Sequence, residues 1–236
     1  MAQKSVYHQD SRKVPFASRI SARTRRRIFD CFLRICAPGP ETRVLDVGVT
    51  CDDSYEESNF FEHMYPYPQN ITCVGTEDAS HLARKYPGLA FQQVKAGDPL
   101  PFPDQSFEWV FSNAVLEHTG SRESQRGFLA ELCRVGSRVF ITTPNRWFPV
   151  EHHTGVPFLH YLPSQMYRAL LRRTRFRFWA DEEHLNILTA KSLSELFPPS
   201  LTVQVQTVRA LGLPANLIAY SGSASDSERR PKGFDR

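Results

Sequence analysis

The 236-residue chain has no uninterrupted apolar run long enough to cross a bilayer. Its first residues, MAQKSVYHQDSRKVPF, also lack the apolar core of a secretory signal. The sequence therefore predicts a soluble, cytoplasmic protein. Its five cysteines are an odd number without paired C-x-x-C spacing, which argues against both a disulfide framework and a zinc site.

Acidic residues are scarce in two parts of the chain. Residues 1–27 hold eight Lys and Arg residues against the single acid Asp10. A second basic cluster consists of Arg168, Arg172, Arg173, Arg175 and Arg177. Two interpretations stay open: a solvated surface, or contact with an anionic partner such as a phosphate-bearing substrate, a transient anionic membrane surface or nucleic acid. Nucleic acid is unlikely on this evidence, because no aromatic-interleaved nucleic-acid motif accompanies the arginines.

With 41% hydrophobic and 23% charged residues, the chain can bury the core of one large α/β domain. Short β-branched runs predict strands at 43–48, 71–76, 91–94, 107–112, 138–143, 201–210 and 215–221. Amphipathic runs predict helices at 19–37, 81–86, 122–135, 164–179 and 190–197. The alternation predicts a Rossmann-like, doubly wound, mostly parallel seven-stranded sheet with helices on both faces. We expect a flexible arm over 1–18, the main domain over 19–221 and a disordered tail over 222–236.

The central strand, RVLDVGVT at 43–50, delivers an acid and a glycine to its carboxyl end. Open α/β sheets bind ligands at that edge. Gly48 would let a ligand approach the backbone, and Asp46 would orient the loop or accept from a polar cofactor group. The alternative is a core strand that simply ends at a turn.

The stretch after the fifth strand, PNRWFPVEHHTGVPFLHYLP, is too irregular for a regular element and too apolar for an ordinary exposed loop. It predicts a lid insertion over 144–180, with substrate contacts from Trp147, His152 and His153. The aromatic residues Trp147, Phe148, Phe158 and Tyr161 are expected mostly in the core beneath it, with one or two facing the substrate. Glu151 with the adjacent His152 and His153 would suggest a metal, but adjacent side chains point apart, so no metal is expected.

Four stretches resemble the class I S-adenosylmethionine-dependent methyltransferases, specifically the bacterial methyltransferase type 11 group. They are VLDVG at 44–48, VGTED at 74–78, LPFPDQSFEWVFS at 100–112 and NAVLEH at 113–118. The last two, in this order and spacing after the first, are the most specific. The resemblance implies S-adenosyl-L-methionine as cofactor and methyl transfer as the reaction.

The resemblance also implies a cofactor site. Glu77, or Asp78 if the register is off by one, would accept from the ribose hydroxyls. Ser112, Asn113 and Ala114 would lie along the methionine portion. Asp98, with Gly97 beside it, is a candidate for the adenine amino group, although it lies nearer to Leu100 than the family spacing has it.

The first loop departs from the family pattern, because two further glycines usually follow Asp-x-Gly and this chain reads VTCDDS after Gly48. One interpretation is a reshaped pocket in which the side chains of Thr50, Ser54 or Tyr55 replace the close backbone approach. The other is loss of cofactor binding, which would make the chain a non-catalytic binding or regulatory protein with this fold.

His118 is the candidate base, since the pKa of histidine lies near neutrality and a base is needed only where the acceptor must lose a proton. The alternative is a histidine that caps a helix or lines the pocket. The sequence thus predicts methyl transfer to a small-molecule, sugar or lipid-linked acceptor, on oxygen rather than nitrogen or carbon. A second alternative, motivated by the arginines, is an RNA or protein methyltransferase.

Overall fold

Seven strands form one sheet in the computed structural model, which describes residues 15–52 and 58–221. The strands are β1 Val44–Val47, β2 Ile71–Gly75, β3 Ala90–Gln93, β4 Phe107–Asn113, β5 Gly136–Pro144, β6 Val203–Ala210 and β7 Leu213–Ser221. Their order is β3-β2-β1-β4-β5-β7-β6. The first five strands pair in parallel, and β7 lies antiparallel to both β5 and β6. This confirms the predicted Rossmann-like, mostly parallel sheet.

Helices cover both faces of the sheet. They are α1 Pro15–Cys36, α2 Phe60–Met64, α3 His81–Lys85, α4 Arg122–Val135, α5 Ser164–Leu171 and α6 Ala190–Ser194. One core joins α1, α2 and α3 to one face, and a second core joins α4 and α6 to the other. Within the described ranges, no helix is long and apolar enough to cross a membrane.

The first of these cores is built from aromatic rings around Phe32, which is fully buried. Its ring has six aromatic neighbours with centroids within 6.3 Å, namely Phe29, Phe61, Tyr65, Trp109, Phe111 and Phe140. Phe60, Phe61 and Tyr65, which follow the first loop, are therefore core residues of α2 and its C-terminal end.

The residues between β5 and α6, 145–189, form the lid segment. They have a small core of their own, made of Tyr167, Leu171, Trp179, Ala180, Leu185 and Ile187. Isolated bridges join Asn145 to Leu188 and Val150 to Pro157. The lid segment is thus a compact unit inserted after β5 and extends beyond the predicted 144–180.

Several predicted boundaries differ from the structure. The first helix begins at Pro15 instead of residue 19, and the short helix α2 was not predicted. The predicted helix over 164–179 is wrong: α5 ends at Leu171, where the hydroxyl of Thr174 donates to the Leu171 carbonyl, and a separate 3-10 helix spans Arg177–Ala180. The rest of the predicted arm, the whole predicted tail, and Ser54 and Tyr55 lie outside the described residues.

Replacing Phe32 with alanine should lower the free energy of unfolding by about 3 to 5 kcal/mol, because it leaves a cavity among six aromatic rings. Urea denaturation followed by circular dichroism measures the change. The matched control is Leu211→Ala, since Leu211 is 70% exposed and should change stability by less than about 0.5 kcal/mol. Equal effects of the two substitutions would contradict this account of the core.

Candidate active site

The carboxyl ends of β1, β2 and β4 meet at one edge of the sheet. In the parallel register, Val47 lies opposite Val74, and Asp46 lies opposite Phe111. Glu77 follows β2, while Ser112 and Asn113 end β4. The chain therefore brings most of its predicted cofactor residues to a single edge, as open α/β sheets do for their ligands.

Glu77 is half-buried at this edge, and its carboxylate has a neighbour that the sequence did not indicate. The thiol of Cys51 donates to Oε2 of Glu77 at 3.2 Å. Burial and the Glu77 carboxylate raise the pKa of Cys51 to about 12. Cys51 is therefore a neutral hydrogen-bond donor that orients the predicted ribose acceptor.

The loop after β1 has few glycines, and side-chain hydrogen bonds fix its backbone conformation. The amide of Asn59 accepts from Thr50 N at 2.9 Å and donates to Thr50 O at 3.0 Å. The Thr50 hydroxyl accepts from Asp52 N at 3.1 Å. Thr50 is thus engaged in fixing the loop, and its predicted contact with the cofactor stays a prediction.

A second glycine, Gly75, permits the loop to lie close to β2. A Cβ at Gly75 would come within 2.7 Å of the Val49 carbonyl oxygen. Gly48 has φ +104°, and a Cβ there would come within 2.1 Å of the Val115 side chain. The close approach that Gly48 permits in this structure is with Val115, and its approach to a cofactor stays a prediction.

Asp46 is buried and faces α2. Burial and the neighbouring carboxyl of Glu62 raise its pKa well above the ordinary range, so this pair holds at least one proton. The thiol of Cys73 donates to Oε1 of Glu62 at 3.1 Å. These contacts tie Asp46 to α2, and both of its predicted roles, orienting the first loop and binding a cofactor ammonium, stay predictions.

The end of β4 is fixed by hydrogen bonds to its neighbours. The Ser112 hydroxyl donates to Val47 O at 2.9 Å, and Asn113 Oδ1 accepts from the Thr142 hydroxyl at 2.6 Å. Ala114 has a left-handed backbone, with φ 56°, and its N–H donates to Thr142 O. These residues form a rigid ledge at the edge, beside Gly48.

The remaining candidate residues for contacts with the ribose and the adenine lie on turns. Asp78 is exposed, and the backbone N–H of Ser80 donates to it, which lowers its pKa. Gly97, at φ +84°, and Asp98 form an exposed turn after β3. The first turn follows β2 and the second follows β3, on the side of the sheet where the resemblance places the adenosine.

The NAVLEH motif is anchored from two sides. Gln125 of α4 donates through Nε2 to Leu116 O and Asn186 O, at 3.0 and 3.1 Å. The N–H of Asn186 donates to Glu117 O at 2.7 Å. Glu117 itself is buried, which raises its pKa to about 7, and its Oε2 accepts from the Thr143 hydroxyl. The last residue of the motif, His118, is consequently held against the lid segment.

Three side chains form a hydrogen-bonded chain from the lid segment to His118. Oε1 of Glu151 lies 2.6 Å from Nδ1 of His153, and Nε2 of His153 lies 3.1 Å from Nε2 of His118. Nδ1 of His118 lies 2.6 Å from the carbonyl oxygen of His184. The ring of Trp179 packs against both imidazoles, with centroids 4.5 Å from His153 and 5.9 Å from His118.

The hydrogen bonds between Glu151, His153 and His118 require a proton that the two imidazoles share. The Glu151 carboxylate and the His184 carbonyl only accept, so both imidazoles donate their Nδ1 protons and two Nε2 lone pairs would otherwise face each other. Burial opposes charge on either group, yet the ion pair raises the pKa of His153 and lowers that of Glu151 to about 2. Burial and His153 lower the pKa of His118 to about 3. His153 therefore carries the proton and donates it to a neutral His118.

The predicted lid contacts divide into three groups. His153 faces the candidate site, whereas His152 stacks on Phe148, with centroids 5.3 Å apart. Trp147 is 52% and Phe158 is 60% exposed, so these two are not core residues, and whether one of them faces the substrate stays a prediction. Both flank Tyr161 on the outer surface of the lid segment.

A shallow pocket lies beside Glu151, between the end of β5 and the lid segment. Its lining includes Pro144, Asn145, His152, His160 and Ile187. Nε2 of His160 lies 2.8 Å from Phe148 O, which ties that ring to the lid backbone. In the part of the chain that the structure describes, no group of three or more His, Cys, Asp or Glu residues is arranged to hold a metal ion.

Solved structures share this fold at low sequence identity. The YcgJ protein from Bacillus subtilis is 15% identical, with 83% of this chain and 97% of that chain covered and a TM-score of 0.53. The PH0226 protein from Pyrococcus horikoshii is 13% identical, with 89% and 92% covered and a TM-score of 0.55. The MccD protein is 11% identical, with 84% and 96% covered and a TM-score of 0.57. A search of curated proteins finds no match.

Residues 58–138 match the family model described as a methyltransferase domain. This match identifies a methyltransferase domain, and the methyl donor of the S-adenosylmethionine-dependent methyltransferases that the sequence resembles is S-adenosyl-L-methionine. The matched residues, less than half of the chain, are those that the type 11 family model covers. The resemblance drawn from the sequence is thereby confirmed. The matched residues begin after the glycine-poor loop, the part that departs from the family pattern.

Replacing Glu77 with alanine should weaken binding of S-adenosylmethionine by roughly 1 to 3 kcal/mol, because a charged acceptor for the ribose hydroxyls is removed. Isothermal titration with S-adenosylmethionine and S-adenosylhomocysteine measures the loss. The control Glu195→Ala removes an exposed carboxylate from the turn after α6 and should leave affinity unchanged. Unchanged affinity in a folded Glu77→Ala protein would refute the assignment.

Replacing Glu151 with glutamine should lower the pKa of His153, since the carboxylate that stabilises the imidazolium is lost. NMR titration of the imidazole signals measures this pKa, with Glu123→Gln on α4 as control. A raised pKa in the folded state also makes the His153 contribution to stability complete below about pH 6.5 and lost as pH rises through the folded value. An identical His153 titration curve in both proteins would contradict the ion pair.

Proposed function

We propose that the protein transfers the methyl group of S-adenosyl-L-methionine to a hydroxyl oxygen of a small-molecule, sugar or lipid-linked acceptor. The observation that carries this proposal is the chain of Glu151, His153 and His118 between the lid segment and the end of β4. It provides a carboxylate-backed imidazole beside the edge where the cofactor residues converge. The acceptor would lie under the lid segment, near the pocket beside Glu151.

We favour an oxygen acceptor over a nitrogen acceptor because the site provides a group that can accept the acceptor's proton. Methyl transfer from a sulfonium is an in-line displacement that depends mainly on holding the acceptor atom on axis with the methyl group. A neutral amine can attack through its lone pair, whereas a hydroxyl must lose its proton during attack. The imidazole pair first loses its shared proton to solvent. Nε2 of His153 then accepts the hydroxyl proton as the oxygen takes the methyl group and S-adenosylhomocysteine leaves, and the Glu151 carboxylate stabilises the resulting imidazolium.

His118 has a supporting part in this proposal. Its low pKa keeps it neutral, so its Nε2 accepts the shared proton of His153 while no acceptor is bound. The acceptor hydroxyl would then take the place of that contact. The sequence predicted His118 alone as the base; in this proposal the base is a pair of imidazoles, with His153 as the ring that gains the proton.

Cofactor binding would use the residues at the edge of the sheet. Glu77, oriented by Cys51, accepts from the ribose hydroxyls, and the ledge of Ser112, Asn113 and Ala114 supports the methionine portion. The adenine end would extend toward Asp78, Gly97 and Asp98. The rival, a non-catalytic binding protein, is favoured by the first loop alone, where side-chain clamps replace the usual glycines.

Incubation with methyl-labelled S-adenosylmethionine and separate aqueous and lipid extracts tests the proposal. We expect a labelled ether or ester whose formation falls by about 100- to 10,000-fold in His153→Phe, because the base is lost. Cofactor affinity of that variant, measured by titration, should stay unchanged. Turnover equal to the original protein would overturn the role of His153, and absence of cofactor binding by the folded protein would favour the non-catalytic rival.

A further inference from the structure

The outer surface of the lid segment combines positive charge with exposed apolar side chains. Between His152 and Ala180 the chain has five arginines and no Asp or Glu. Four of them, Arg172, Arg173, Arg175 and Arg177, are exposed and follow α5 directly. Among the described residues, none of these four forms an ion pair with a carboxylate. The four guanidinium groups are therefore unpaired in the described part of the chain, although Asp181, Glu182 and Glu183 follow them in the lid segment.

Helix α5 has apolar side chains on its exposed face as well as on its buried face. Tyr167 and Leu171 pack into the core of the lid segment. Met166 and Leu170, one turn apart, are 54% and 41% exposed. Residues four positions apart lie on the same helix face, so these two side chains form an outward apolar stripe next to the arginines. Phe178 is also exposed, beyond the arginines.

We propose that α5 and the arginines after it, residues 164–178, dock the protein on an anionic lipid bilayer. Arginine guanidinium groups bind the phosphates of the headgroups, and each basic residue near such a surface adds to affinity. Met166 and Leu170 enter the boundary between headgroups and acyl chains, as the apolar face of an interfacial helix does. Charge complementarity selects the anionic lipid, and the apolar stripe selects a bilayer over RNA, which offers no hydrocarbon layer.

Docking at this place puts the candidate site next to the bilayer. Trp179, directly after Phe178, packs on both imidazoles of the site, and Arg168 donates to Ala180 O at 3.3 Å. The docking surface is thus continuous with the wall of the site. The inference depends on the lid segment alone and is tested without turnover.

Sedimentation of the full-length protein with vesicles of phosphatidylcholine, with and without phosphatidylglycerol, tests the proposal. We expect binding only with phosphatidylglycerol, and weaker binding at higher salt. Replacing Arg172, Arg173 and Arg175 with glutamine should weaken binding roughly 100-fold, at about fivefold for each arginine at the surface. The control removes three exposed charges elsewhere, in Arg84→Gln, Arg126→Gln and Lys191→Gln, and should bind like the original protein.

A second variant separates a bilayer from other anionic partners. Met166→Ser with Leu170→Ser keeps every charge, and we expect it to weaken vesicle binding while leaving salt dependence intact. Circular dichroism checks that each variant is folded. Equal binding to both kinds of vesicle, or no binding to either, would overturn the proposal. So would tight binding of single-stranded RNA that the serine variant leaves unchanged, since that result would assign the arginines to nucleic acid.

Discussion

The parallel pairing of β1 between β2 and β4 is the constraint on which the rest of the structure depends. All four residues of β1 are buried, and their side chains alternate between the two cores on either face of the sheet. A slip of one residue would exchange those faces, so the register is strongly determined. With the register set, Gly48, Glu77 and Ser112 reach the same edge. The position of the candidate site therefore follows from strand packing, and the side chains at that edge determine its chemistry.

The lid segment adds a second, chemical constraint. It contacts the domain through buried polar groups whose hydrogen bonds must be satisfied, and the facing Nε2 atoms of His153 and His118 are satisfied only by a proton between them. The Glu151 carboxylate balances the charge of that proton. The hydrogen-bonded groups from Glu151 to the His184 carbonyl therefore carry no net charge. The same arrangement that ties the lid segment to the motif at 113–118 thus holds the imidazole pair that we propose as the base.

Much of the fold follows from local patterns, because short buried runs and amphipathic helices carry their own signals; the helix at 122–135 agrees with α4 to the residue. The exposure of Trp147 and Phe158 and the end of α5 at Leu171 were not predictable in this way, since they depend on what the lid segment packs against. The same is true of the site. Glu77 and His118 stand in motifs, but the thiol of Cys51, the Asn59 clamp and the contact between His153 and His118, 35 residues apart, exist only through tertiary structure. Glu151 had a local signal, its position two residues before His153, but that spacing does not show which way the ring turns.

A crystal structure of the protein with S-adenosylhomocysteine and a bound acceptor tests the central claim most directly, that one edge of the sheet holds the cofactor and presents the acceptor to a carboxylate-backed imidazole. The account predicts the ribose hydroxyls on Glu77, the sulfur of the product beside the ledge at 112–114, and the acceptor oxygen within hydrogen-bond distance of Nε2 of His153. Cofactor bound elsewhere, or an acceptor oxygen with His153 still paired to His118 and out of reach, would contradict it.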